Sequence, residues 1–170
     1  MDLDIKQHLP ENFYAHSKVW IYQSNRLFLI SEVFQLEEML NEFVQQWKSH
    51  GDDVTGFASL FYGRFIVLMA DESKTGVSGC STDSSVRLIK KLEEQFNVQL
   101  FNRQLLAFVI KDKIELIPME QLPYAINNKF ITSNSTFFNN AITTKEDLES
   151  KWIVPAGESW LSRYFEKSIS

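Results

Sequence analysis

Phe57-Ala58-Ser59-Leu60-Phe61-Tyr62-Gly63-Arg64-Phe65-Ile66-Val67-Leu68-Met69-Ala70 is the stretch that decides the fold. Gly63 divides it into residues 57–62 and 64–70, each rich in aromatic and branched side chains and too short for an ordinary helix. The pair reads as two strands joined by a tight turn. Residues 65–70 are apolar without a break, the pattern of a strand covered on both faces, and this strand is expected to be central in its sheet.

Working outward, Val19-Trp20-Ile21-Tyr22 followed by Ser24-Asn25 predicts a first strand and its turn. Between them Val33, Leu36, Leu40, Phe43 and Trp47 recur at three- and four-residue spacing. With Ser31 as N-cap and Glu32 in the first turn, this predicts a helix over residues 32–49 that ends at His50-Gly51. Downstream, Gly76-Val77-Ser78-Gly79-Cys80-Ser81-Thr82-Asp83-Ser84-Ser85 reads as a small-residue loop. It feeds a second helix, capped by Asp83 or Thr82, with Val86, Ile89, Leu92 and Phe96 on its apolar face. Residues 105–110 and 113–117, separated by Lys111-Asp112, predict a hairpin.

The succession is strand, helix, strand, strand, helix, strand, with one strand more. It predicts an α+β fold of ferredoxin-like βαββαβ type, both helices on one face of an antiparallel sheet. Alternate residues on both sides of the strands are apolar, so the second face also needs a cover. Residues 119–170 supply Phe130, Phe137, Phe138, Trp152, Trp160 and Phe165, with a capping-box pattern at Thr143-Thr144-Lys145-Glu146 and Pro155 ahead of a short last helix. The expected layout is one domain, with residues 1–17 as a polar tail broken by Pro10, 18–118 as the core and 119–170 as a C-terminal helical layer.

Composition sets limits. With 44% hydrophobic and 14% aromatic residues the chain has the apolar surface a globular core requires. Its 17 basic and 22 acidic residues give a net charge of -5, which opposes nucleic-acid binding. A lone cysteine, Cys80, allows no internal disulfide and fits a reducing compartment. Asp2 and Asp4 do not open a signal peptide, and no apolar run spans a bilayer, so a cytoplasmic location away from membranes is expected.

The richest candidate for chemistry is the loop before the second helix. Unpaired amides at a helix start, flanked by small hydroxylic residues, suit a phosphate or carboxylate. Ser78, Gly79, Ser81, Thr82, Asp83 and Ser84 would form such a site, and Arg87, one turn on, adds positive charge; the plainer role of Asp83, Ser84 and Ser81 is capping. Cys80 in the same place is the candidate nucleophile, its thiol activated by the helix start, with His8, His16 or His50 as base. A buried unreactive thiol is the commoner fate. Three scattered histidines and one cysteine form no metal-binding spacing, and no cofactor is implied.

Gly51 and Gly56 have the glycine spacing of a phosphate-binding P-loop, but Phe57-Ala58 stand where Lys and Ser/Thr are required, which excludes nucleotide hydrolysis of that type. Val19-Trp20-Ile21-Tyr22-Gln23, the helix end at Trp47 to Gly51, and Gly79-Cys80-Ser81-x-Asp83-x-Ser85-Val86 resemble a family of short bacterial proteins, some of which carry an ABC transporter ATPase label. The resemblance implies no activity, because the P-loop is lacking. The element order is also similar to the RNA-recognition fold; there Trp20 and Tyr22 would stack bases, but packing beneath the C-terminal layer accounts for them better. The reading is a non-enzymatic binding or regulatory domain for a small anion or a protein segment. A cysteine-dependent enzyme and a homodimer are the alternatives.

Overall fold

β1 (Lys18–Gln23), β4 (Thr55–Phe61) and β5 (Phe65–Asp71) form an antiparallel sheet in the order β1-β5-β4. Between β1 and β4 run α1 (Ile30–Gln46) and a small hairpin of β2 (Lys48–Ser49) and β3 (Asp52–Asp53); α2 (Gly79–Phe96) follows β5. The computed structural model describes residues 1–49, 51–71, 73 and 79–166, with residues 49 and 79–81 described by backbone alone. The chain divides into two compact units, and this sheet and its helices belong to the one made of Leu9–Asn102 and Thr143–Glu146.

β5 is central, as its unbroken apolar run predicts, and all six residues from 65 to 70 are fully buried. The β4–β5 turn puts Tyr62 and Gly63 at φ 56° and 64°, and Arg64 N donates to Phe61 O. Ile66, Leu68 and Ala70 of β5 and Tyr22 of β1 lie in one core with Leu36 and Leu40 of α1 and Ile89, Leu92 and Phe96 of α2. Trp20 and Tyr22 therefore pack under the helices, which corrects their expected place beneath a C-terminal layer.

α1 begins and ends earlier than its periodicity predicts. The N-cap is Leu29, not Ser31: the Glu32 carboxylate reaches back to accept Leu29 N at 2.8 Å, a service serine cannot perform from inside the first turn. At the other end Trp47 turns extended and leads into β2, so Gly51, at φ 84°, serves the β2–β3 turn and not the helix end. His50 lies outside the described residues.

Glu32 also takes both Nη atoms of Arg26, at 2.8 and 3.0 Å, while Arg26 Nη2 donates to Phe96 O at 2.6 Å. The hydrogen bonds from Arg26, then the one from Leu29 N, lower the Glu32 carboxyl from 4.5 to about 2. A depressed carboxylate stabilises the fold fully above its unfolded pKa and progressively less as pH falls through the folded one. Glu32→Gln is expected to cost about 1 kcal/mol at neutral pH and to flatten the fall in stability between pH 4.5 and about 2, read by urea unfolding. An unaltered pH slope would show that the pair does not stabilise the fold.

The second unit comprises Met1–His8, Arg103–Ile142 and Asp147–Ser170. Here β6 (Leu105–Ile110) and β7 (Lys113–Pro118) form the expected hairpin, with Lys111 and Asp112 both at positive φ. After α3 (Leu122–Asn127) come β8 (Thr136–Phe138), α4 (Lys145–Lys151), β9 (Ile153–Pro155) and α5 (Ser162–Glu166). Four strands pair in the order β7-β6-β8-β9. Phe108, Phe137, Leu122, Ile131, Ala156 and Leu161 fill the core of this unit.

The fold is thus α+β with two antiparallel sheets. The four-stranded ferredoxin-like sheet that the element order predicts is not formed, because its fourth strand, β6, pairs with β7 and β8 and not beside β1. The C-terminal third is likewise not only helical: β8 and β9 are sheet strands.

The outer edge of β1 is met instead by residues 143–144, with Val19 N donating to Thr143 O and a bridge between Lys18 and Thr144. Lys145, where a capping box is predicted, is buried with its ammonium donating to the carbonyls of Glu11 and Phe13. The predicted polar tail is more than a local coil, since Ile5 and Leu9 are buried.

Candidate functional site

α2 starts at Gly79, so Cys80 to Ser84 stand in its first turns and not in a loop. This corrects the expected loop and puts Thr82 and Asp83, expected as caps, inside the helix. The Ser85 hydroxyl donates to Thr82 O at 2.6 Å, so this fully buried serine satisfies its own polar group on the preceding turn. Asp83 is exposed on the helix surface and Thr82 half-buried. Ser78 lies outside the described residues, as do the side chains of Cys80 and Ser81. Of the histidines expected to serve as a base, His16 is exposed, with Nδ1 3.8 Å from Glu146 Oε2, and His8 ends a short 3-10 turn.

Ser84 and Arg87 come together with side chains that the sequence reading did not include. A groove of about 340 Å³ runs between α1 and α2. Arg87, Lys91 and Ser84 line it from α2; Glu42 and Gln46 line it from α1; Met39, Phe43 and Leu88 supply its apolar part. The two helices reach this arrangement because Leu36 and Leu40 turn inward to the sheet, leaving Met39 and Phe43 on the neighbouring stripe, toward α2. Phe43 is steadied by Trp47, ring centroids 4.8 Å apart, and Arg87 Nη2 donates to Ser84 Oγ at 3.2 Å. Two cations over three apolar side chains, with a hydroxyl alongside, can receive a carboxylate or phosphate joined to a hydrocarbon body.

The glycines with P-loop spacing have other duties. Gly51 supplies a positive φ, and Gly56 leaves room for the Trp47 ring.

Comparison with protein-family models, with curated proteins and with solved structures gives no match. Among the described residues no three His, Cys, Asp or Glu side chains gather as a metal site would require, and no helix is long and apolar enough to cross a membrane.

Proposed function

We propose that the chain is a non-enzymatic binding module whose groove between α1 and α2 takes a ligand with an apolar body and an acidic head. The observation that carries this reading is Arg87 and Lys91 placed beside Met39, Phe43 and Leu88 in one groove. The apolar side chains gain by leaving water, while the two cations select for negative charge and orient it. Such a ligand is a small organic acid or phosphate ester, or an acidic and apolar segment of a protein. Glu42 on the opposite wall disfavours a ligand that is negative at both ends.

Decanoate, which has an apolar chain and one carboxylate, is a suitable probe. In two-dimensional amide NMR it is expected to shift Gln46, Ser84 and Leu88 saturably, and decanol to do so at least about tenfold more weakly. Arg87→Glu combined with Lys91→Glu should remove that preference while leaving the fold intact, both side chains being exposed. Equal shifts by acid and alcohol, or shifts elsewhere on the protein, would count against the groove.

A further inference from the structure

The flank of α1 turned away from α2 is built unlike the rest of the helix. At about 100° per residue, Met39, Phe43 and Gln46 face α2, while Ile30, Phe34 and Asn41 face the opposite way. Ile30 is 80% exposed and Phe34 73%, and Leu27 and Leu29, just ahead of the helix, are each more than half exposed. Large apolar side chains gathered on one surface in this manner mark contact sites.

Their exposure is fixed from beneath. Arg26 ties this segment to Phe96 O and Glu32, Phe28 N donates to Gly63 O at 2.9 Å, and the buried Phe28 ring meets Phe96 edge-on at 5.7 Å. The side chains on either side of Phe28 are therefore presented to solvent on a hydrogen-bonded and packed base.

α1 packs over β4, and β4 is the last strand of its sheet, paired with β5 alone among the described residues. The apolar flank and the open strand edge thus lie on the same side of the unit. Thr55-Gly56-Phe57-Ala58-Ser59-Leu60-Phe61 contains neither charge nor proline, the usual protections of an edge strand. α1 carries four glutamates and no Lys or Arg. Glu32 is already paired with Arg26, whereas Glu37 and Glu38 are exposed beyond Phe34, and Asp52 is exposed ahead of β4.

We infer that this edge binds an extended segment of another protein by strand addition, its apolar residues against Ile30 and Phe34 and its Lys or Arg residues toward Glu37 and Glu38. Backbone pairing along β4 supplies affinity, and alternate side chains supply selectivity. A second copy of this chain fits worse, because two such flanks would set glutamates against glutamates.

The probe is a short alternating lysine–valine peptide, blocked at both ends and labelled for fluorescence anisotropy, with the alternating glutamate–valine peptide as its counterpart. The full chain is expected to bind the first saturably and the second at least about tenfold more weakly. Phe34→Glu with Ile30→Lys should abolish binding at unchanged circular dichroism, and Glu37→Lys with Glu38→Lys should reverse the preference. Arg87→Glu should leave both unaltered, which separates this edge from the helix groove. Equal binding of both peptides, no saturation with the lysine–valine peptide, or a dimer in sedimentation that Phe34→Glu dissolves would each overturn the inference, the last by making a second copy the occupant.

Discussion

Trp152→Ala is expected to destabilise the protein by about 3–5 kcal/mol, the range for deleting a large aromatic side chain from a core. Trp152 is fully buried just ahead of β9 and meets the Phe138 ring edge-on at 5.5 Å. Its indole Nε1 donates to Asn140 Oδ1 at 2.9 Å, and its carbonyl accepts Asn139 N. Alanine would leave a cavity and also remove the indole hydrogen bond to the Asn140 oxygen, so two costs combine. Trp152→Phe keeps most of the volume and loses the hydrogen bond, and about 1–2 kcal/mol is expected for it. Trp160→Ala, at a side chain 40% exposed, should cost less than Trp152→Ala. Urea unfolding followed by circular dichroism measures all three, and a Trp152→Ala midpoint near that of Trp160→Ala would show that the packing of β8 and β9 around this ring does not secure the unit.

Gly56→Ala is expected to cost about 2–3 kcal/mol for the opposite reason, too little space. A Cβ on Gly56 would stand 2.6 Å from Cε3 and 3.0 Å from Cζ3 of Trp47. The ring has nowhere to go: it is 2% exposed, set between Trp20 at 5.6 Å and Phe43 at 4.8 Å. Trp47→Leu should be destabilising alone through the cavity it leaves, yet should make room for the methyl group. The double variant is therefore expected to be more stable than the sum of the single costs allows, by roughly 1–2 kcal/mol. Simple additivity in thermal or urea unfolding would mean that the two positions do not compete for space.

These two residues also show what the sequence discloses and what it hides. Trp47 lies on the apolar repeat of α1, and its burial was legible there; that the helix stops one residue earlier was not, because the switch depends on the β2–β3 hairpin and Gly51. The hairpins at Tyr62-Gly63 and Lys111-Asp112 were readable from local turn chemistry and alternation. The partner of β6 was not, since pairing between strands far apart in sequence leaves no local mark, and β8 and β9, three residues each, are too short to show a period.

For the groove, Ser84 and Arg87 were readable as polar residues near a helix start, while Lys91, Met39 and Phe43 were missed because the opposing helix completes the site. A signal was present: Met39 and Phe43 lie beside Leu36 and Leu40, making the apolar stripe of α1 wider than contact with one sheet requires. The outward Leu29, Ile30 and Phe34 break the periodic pattern at its beginning, the kind of local inconsistency that binding surfaces produce.

The course of the chain through the two units bears on the order of events during synthesis. Lys145 closes onto the carbonyls of Glu11 and Phe13, and residues 143–144 line the edge of β1, so the earlier unit emerges from a ribosome long before its closing piece. Met1–His8 precedes the rest of its unit, which resumes only at Arg103, by the whole stretch from Leu9 to Asn102. No single cut frees either unit whole, and neither can close before residues 143–146 have been made, so contacts distant in sequence complete the fold.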